Sequence, residues 1–115
     1  MVKKQLKPEH RGQNSTTFTG NPQGAQVRKE LHLDECDEKG EDVEIIVPKD
    51  TTSFNPSFYL GLLYKSIVHY HGMDGFKKKY QVVFEDTDQE LVNLLKENIE
   101  DNERQAQNEY LRFGK

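Results

Sequence analysis

Two short apolar runs predict the strands at the centre of the fold. Val43–Val47 is apolar and β-branched except for Glu44, and it ends at Pro48. This pattern predicts a central strand covered on at least one face, which Pro48 ends because proline has no N–H to donate. Tyr80–Phe84 predicts a second strand, and the β-prone residues 15–19 predict a short edge strand.

The strongest helix signal follows the first of these runs. Asn55 and Pro56 favour a helix start, because Asn caps free N–H groups and Pro suits the first helical turn. The helix is predicted over residues 56–70, with Gly72 as its stop. Its apolar residues cover more than half of the circumference, which predicts burial. They are Phe58, Leu60, Leu63, Tyr64, Ile67 and Val68.

A second long helix is predicted to begin within residues 86–90. Thr87 and Glu90 have the spacing of a capping box, in which two free backbone N–H groups are satisfied reciprocally. An amphipathic stripe follows and then fades, since residues 100–109 contain only Ala106 as an apolar residue. The stripe consists of Leu91, Val92, Leu94, Leu95 and Ile99.

The remaining segments set the predicted domain boundaries. Residues 1–14 are polar and basic, which predicts a flexible basic arm. Residues 15–104 are predicted to form a single α/β domain, and residues 105–115 a polar C-terminal helix extension or tail. Inside the domain, residues 25–33 fit a short helix but also the period of a strand, and the acidic residues 34–42 predict a loop.

Strands that alternate with helices predict an α/β fold with a small sheet of three to four strands. The sheet would be parallel or mixed, with crossover helices between the strands. Such a sheet has edges that need covering by the arm, the tail or another molecule. A homodimer, in which a second copy covers such an edge, is therefore one of the arrangements that the sequence allows.

Composition narrows the class of function. The formal charge is −4, from 20 acidic and 16 basic residues, and this balance disfavours nucleic-acid backbone binding. The single cysteine, Cys36, fits a reducing compartment, and no apolar run has the length of a signal peptide core or a membrane span. These features predict a cytoplasmic protein that is not associated with a membrane.

No residue pattern points to an enzyme or to a cofactor. The chain has no phosphate-binding loop, nucleophile elbow or His-Glu-x-x-His motif, so we expect no catalytic activity. His69 and His71 lie two residues apart and would point to different faces of a helix, which argues against a metal site. Lys77, Lys78 and Lys79 are typical of a solvated turn.

Two groups of residues are candidates for contact with a protein partner. The first lines the junction between the central strand and the following helix, where open α/β sheets place ligands: Thr51, Thr52, Ser53, Asn55 and Ser57. The same residue types also serve as simple helix caps and turns. The second is an acidic face of the last helix, which fits a basic partner surface: Glu97, Glu100 and Glu103. Its alternative interpretation is a solvated helix face.

Three segments carry a resemblance to a known family. They are residues 24–31, residues 43–47 with 52–58, and residues 72–84 with the following helix. On these segments the chain resembles the bacterial STAS-like domain of unknown function, a distant relative of the anti-sigma-factor antagonists. The resemblance implies a STAS-like fold and a non-enzymatic regulatory module that binds an ATPase or another regulatory protein.

The chain departs from the antagonists at the position that controls them. In that family a serine after an aspartate at this helix start accepts phosphate, but the matching positions here are Asn55 and Pro56. A phosphorylation switch is therefore not expected. An alternative function is an inhibitor of a host defence complex, encoded by a phage or other mobile element. Such an inhibitor would act through the acidic face as an anti-CRISPR-like protein or a DNA mimic.

Overall fold

The computed structural model describes residues 1–12 and 15–114. The strands are β1 (Val2–Gln5), β2 (Thr17–Phe18), β3 (Val43–Val47), β4 (Ser53–Phe54) and β5 (Tyr80–Phe84). The helices are α1 (Asn21–Glu30), α2 (Leu33–Glu38), α3 (Pro56–His69), α4 (Met73–Lys79) and α5 (Gln89–Phe113), and Pro8–Arg11 form one turn of 3₁₀ helix.

The strands form two small parallel sheets. The main sheet has the order β1-β3-β5, and Ile45 in its centre lies opposite Lys4 on one side and Val82 on the other. β2 and β4 form the second sheet, in which Phe18 lies opposite Phe54. The prediction of an α/β fold with parallel strands is thus confirmed. The predicted edge strand in residues 15–19 exists, but it pairs with β4 and not with the main sheet.

One face of the main sheet carries the core, and α1 and α3 pack tightly beside it. Val43, Ile45 and Val47 all point into that core and are buried, as predicted for a central strand. The two helices approach through Gly24 and Gly61. A Cβ on Gly24 would overlap backbone atoms of α3, and one on Gly61 would overlap backbone atoms of α1. These glycines are therefore required by the close approach of two backbones.

The N-terminal residues belong to the fold, contrary to the predicted flexible arm. β1 is an edge strand of the main sheet, held by backbone hydrogen bonds from Val2 N–H to Asp42 O (2.8 Å) and from Leu6 N–H to Ile46 O (2.9 Å). Leu6 is completely buried. The ladder and the burial of Leu6 outweigh the polar composition, and Gln13 and Asn14, also in the predicted arm, lie outside the described residues.

Three local predictions were wrong in their boundaries. α1 begins at Asn21, before the predicted helix start at residue 25, and the acidic segment predicted as a loop contains α2. α5 is capped by Asp88 and not by Thr87, because the Asp88 carboxylate accepts from the N–H groups of Glu90 (3.1 Å) and Leu91 (3.3 Å). The helices predicted over 56–70 and after 86–90 are otherwise confirmed.

The predicted C-terminal extension is an unbroken part of α5. Asn102 and Ala106 are buried and continue the inward-facing stripe of α5 beyond Ile99. Asn98 accepts from Phe54 N–H (2.7 Å), and both Asn98 (3.3 Å) and Asn102 (3.1 Å) donate to Phe54 O. The side-chain amides thus satisfy the backbone groups of Phe54 that a neighbouring strand would otherwise bond. Among the described residues, no helix is both long enough and apolar enough to cross a membrane.

Candidate functional site

The main sheet has two open edges of different character. β1 carries Lys3 and Lys4, and charged residues of this kind disfavour pairing with another strand. β5, with the sequence Tyr-Gln-Val-Val-Phe, contains no charged residue. Within residues 1–12 and 15–114, no strand pairs with β5 on the side opposite β3. β5 is therefore the edge that is suited to accept an additional strand.

The backbone of β5 presents free hydrogen-bonding groups along this edge. Glu85 N–H donates to Val47 O (3.0 Å), so the backbone groups of Glu85 point toward β3. The N–H and C=O groups of successive residues point to opposite sides of a strand, so those of Tyr80, Val82 and Phe84 point away from β3. Tyr80 N–H is already bonded to Phe76 O at the end of α4. The remaining outward groups are the C=O of Tyr80, the N–H and C=O of Val82, and the N–H of Phe84.

A groove of about 520 Å³ runs beside this edge, between β5 and α5. Its floor is apolar and consists of Ile45 from β3, Tyr59 and Leu63 from α3, and Phe76 from α4. The side chains of the residues whose backbone faces outward form one wall: Tyr80, Val82 and Phe84. The groove thus brings free backbone groups and an apolar surface together.

The opposite wall of the groove is charged. α5 contributes Lys96, Glu100 and Glu103, which share a helix face with Ile99. The Glu103 carboxylate lies 3.5 Å from the Lys77 ammonium, which also lines the groove. An occupant of the groove would therefore touch an apolar floor and a charged rim.

Tyr59 places a polar group in the apolar floor. Its side chain is only 2% exposed, and it lines the groove. Burial, and secondarily the negative charge of Glu103, raise the pKa of Tyr59. Its hydroxyl can donate or accept a hydrogen bond where it meets the groove.

A buried polar cluster fixes one end of the groove. Arg28 and Asp37 are each 4% exposed and form an ion pair of 3.0 Å. Asp37 also accepts hydrogen bonds from the hydroxyls of Ser66 (2.6 Å) and Tyr80 (2.7 Å). Burial, together with the hydrogen bond to Asp37, raises the pKa of Tyr80, so this hydroxyl remains a donor. The cluster holds the first residue of β5 in place.

The predicted junction residues make contacts inside the protein. Thr51 is 0% exposed, and its hydroxyl donates to Pro48 O (2.8 Å) while accepting from Arg11 (2.8 Å). The side chain of Asn55 accepts from Ser57 N–H (2.9 Å) and caps α3, as the sequence predicted. Asn55 and Ser57 themselves are exposed.

Thr52 and Ser53 belong to the small second sheet. The hydroxyl of Thr52 lies 2.8 Å from that of Thr16, and the hydroxyl of Ser53 lies 3.0 Å from that of Thr17. These pairs tie β4 to β2. A role in partner binding for the junction stays a prediction, and the buried position of Thr51 limits it to the exposed residues.

The predicted acidic residues separate into two positions on α5. Glu100 and Glu103 line the groove, whereas Glu97 is exposed and outside it. Asp101, next to them, pairs with Arg104. Part of the negative charge on this helix face is therefore neutralised. Of these acidic residues, only Glu100 and Glu103 are in a position to contact an occupant of the groove.

The sequence did not single out the residues of the groove as a site. The absence of charge in β5 was a visible signal for an open edge, but the groove depends on the path of α5 across α3. Arg28 lies within a segment of the family resemblance, yet its buried contacts with Asp37 and Ser66 come from distant segments.

The chemistry of the described residues offers no metal centre. In residues 1–12 and 15–114, no three His, Cys, Asp or Glu side chains come together in a way that can hold a metal ion. No family model, curated protein or solved structure matches the chain. The STAS-like resemblance therefore stays a prediction, and the function is inferred from the groove.

Proposed function

We propose that the protein is a binding module that holds an extended segment of another protein against β5. The observation that carries this proposal is the groove, where the free backbone groups of β5 meet an apolar floor. An added strand forms main-chain hydrogen bonds with such an edge, and its alternate side chains enter the adjoining pocket. This proposal specifies the contact surface of the protein-binding module that the sequence predicted.

The groove supports modest affinity. Four new backbone hydrogen bonds contribute a net of about 1 kcal/mol each. Two or three aliphatic side chains on the floor contribute about 2 kcal/mol each. Association costs at least about 4 kcal/mol in lost freedom of motion. The balance of about −4 to −6 kcal/mol corresponds to a Kd between about 1 mM and tens of micromolar.

The shape of the groove favours an extended segment over a compact ligand. Small-molecule sites enclose most of the ligand surface, whereas this groove lies beside an unpaired strand and is lined by Tyr80, Val82 and Phe84 of β5. An uncharged open edge also matches the main chain of a strand better than it matches a compact polar molecule. A protein segment with apolar side chains at alternate positions satisfies both features.

The proposal is tested with synthetic seven-residue peptides that carry Val or Leu at alternate positions. Each backbone nitrogen is methylated in turn, and binding is measured by fluorescence polarisation at peptide concentrations up to millimolar. Only every second N–H of an added strand faces β5, so methylation at alternate residues should weaken binding about tenfold. Methylation at the residues between them should have little effect. Equal losses at all positions would contradict strand addition.

Two variants of β5 form a matched pair for the same assay. Val82 lines the groove, whereas the next residue, Val83, is 37% exposed and points to the opposite face of the sheet. Val82→Lys should weaken peptide binding about tenfold or more, since it places a charge on the apolar wall. Val83→Lys should leave binding within about twofold. Equal effects of the two variants would refute the groove as the site.

A second copy of the chain is the competing occupant. Pairing of β5 with β5 of another molecule would double the mass in a concentration-dependent manner, as measured by sedimentation. A dimer that Val82→Lys dissociates and that no peptide disrupts would replace the proposed protein segment with a second copy.

A further inference from the structure

Another concave surface lies at the carboxyl edge of the main sheet. It has a volume of about 480 Å³ and shares no lining residue with the groove beside β5. Its walls include residues that end or directly follow all three strands: Gln5 and Leu6 for β1, Pro48 and Lys49 for β3, and Glu85 for β5. Open parallel sheets place ligands beyond the carboxyl ends of their strands, so this carboxyl-edge pocket is a candidate site of its own.

Arg11 lines the carboxyl-edge pocket, and the fold holds its guanidinium in place. Nη1 donates to Lys49 O (3.1 Å) and to the hydroxyl of Thr51 (2.8 Å), a residue that is completely buried. The guanidinium carbon lies 5.9 Å from the centre of the Phe18 ring. These contacts orient the guanidinium before any ligand arrives, which lowers the entropic cost of binding.

The other edge of this guanidinium has no acceptor. Nε of Arg11 is buried, and no residue in 1–12 or 15–114 accepts a hydrogen bond from it. Nη2 lies on the same edge, and the hydrogen bonds of Arg11 to described residues all come from Nη1. Two parallel N–H donors on one edge of an arginine match the two oxygens of a carboxylate. Because a buried donor without an acceptor costs stability, a ligand oxygen at this edge would be favourable.

The charged side chains around Arg11 indicate which anion fits. Lys7 and Lys49 add two cations to the lining of the pocket, and Asp50 and Glu85 add two carboxylates. Within the described part of the chain, none of these five residues forms an ion pair. One positive charge is therefore in excess, which matches a singly charged carboxylate. A phosphate monoester carries nearly two negative charges and would be repelled more strongly by Asp50 and Glu85.

We infer that the carboxyl-edge pocket binds the carboxylate group of a small organic acid. The carboxylate accepts from Nε and Nη2 of Arg11, and the ammonium groups of Lys7 and Lys49 add attraction over a longer distance. A single two-donor contact at the surface gives weak binding, with a Kd of about 1–10 mM. The inference does not rest on strand addition at β5, because the two sites have separate linings.

The test compares N-acetylglycine with N-acetylglycinamide, which lacks the carboxylate. The Nε–H signal of Arg11 is followed by ¹⁵N NMR at about 150 mM salt, where distant charges are screened. N-acetylglycine should shift this signal saturably with a Kd of about 1–10 mM, and the amide should not shift it. Arg104 is the internal control, since its side chain is 70% exposed and lies outside the pocket. Equal shifts with both compounds, or at both arginines, would overturn the inference.

Two lysine variants form a matched pair, because each removes one exposed positive charge. Lys49 lines the pocket, whereas Lys39 lies in the segment that enters β3 at its amino end. Lys49→Gln should weaken the binding of N-acetylglycine about threefold, since it removes a nearby cation. Lys39→Gln should change the Kd by less than about 1.5-fold, because its charge is distant and screened. Equal effects of the two variants would contradict a site in this pocket.

Arg11→Lys tests the guanidinium edge itself. It keeps the positive charge but removes the pair of donors, so it should weaken binding about tenfold. Binding is then followed at the backbone N–H of Lys49, and circular dichroism checks that the variant is folded. Unchanged affinity in the folded variant would show that charge alone attracts the anion and would overturn the two-donor contact.

Competing ligands and an absence of binding give the remaining outcomes. Inorganic phosphate that binds more tightly than N-acetylglycine at Arg11 would replace the carboxylate with a phosphate group. A blocked Ala-Glu-Ala peptide that binds more than about tenfold more tightly would replace the small acid with a protein side chain. If about 50 mM N-acetylglycine leaves the Arg11 signal unchanged, the inference fails and strand addition at β5 is unaffected.

Discussion

Replacement of Arg28 by methionine should lower the free energy of unfolding by about 3–5 kcal/mol, since removal of one partner leaves a buried charge uncompensated. Arg28 and Asp37 are each 4% exposed, so water cannot replace the lost cation. Arg28 also donates to Leu62 O (2.9 Å) and to the Ser66 hydroxyl (2.9 Å). A domain of this size has a stability of about 5–15 kcal/mol, so the variant should be severely weakened.

A substitution of Asp37 completes a double-mutant cycle with Arg28→Met. Asp37→Asn keeps an oxygen that can accept from Tyr80 or Ser66 while removing the negative charge. Combined with Arg28→Met, it should cost about 1–2 kcal/mol less than Arg28→Met alone, because no unpaired charge remains. The coupling between the two sites should therefore be clearly non-zero.

Urea unfolding followed by far-UV circular dichroism measures both quantities, with the slope m as a check that the transition stays two-state. Arg104→Met is the control, because Arg104 also pairs with an aspartate but is 70% exposed. It should change stability by no more than about 0.5 kcal/mol. A loss of less than about 1 kcal/mol for Arg28→Met, or additive effects in the cycle, would refute the reasoning.

Three further predictions concern packing, capping and pH. Gly61→Ala should cost about 2 kcal/mol or more in urea unfolding, since its Cβ would overlap the backbone of α1. Asn98→Leu should cost about 1–3 kcal/mol and speed amide exchange at Phe54, whose N–H loses its acceptor. The hydrogen bond from Arg28 lowers the pKa of Asp34, so Asp34 contributes stability that is present above its unfolded pKa of about 3.9 and lost as pH falls. Asp34→Asn should therefore reduce the loss of stability between about pH 5 and 3, by less than about 1 kcal/mol because the side chain is 65% exposed.

The sequence predicted the elements whose signals are local. β3 and β5 appear as short apolar runs, and the start of α3 follows from Asn55 and Pro56. Edge strand β1 was missed because Lys3 and Lys4 give it a polar composition. Its position is decided by hydrogen bonds to β3, which lies some forty residues later in the chain. Long-range pairing of this kind leaves little trace in local composition.

The candidate site depends on contacts between distant segments. The buried polar cluster around Arg28 joins side chains from three helices and a strand, and no spacing in the sequence connects Asp37 with Tyr80. The groove exists because no described strand follows β5 and because α5 passes beside it. Glu100 and Glu103 were predicted as contact residues on the last helix, and the structure separates them from Glu97. The separation depends on which face of α5 packs toward α3, and the periodicity of the sequence alone did not determine that face.

Strand addition at β5 is tested most directly by amide hydrogen exchange with and without a peptide that carries valine at alternate positions. The N–H groups of Val82 and Phe84 face the open edge, whereas that of Val83 is already directed toward β3. The account predicts that the peptide slows exchange at Val82 and Phe84 by about tenfold or more and changes Val83 little. Unchanged exchange at Val82 and Phe84 with the peptide bound at saturation would contradict it.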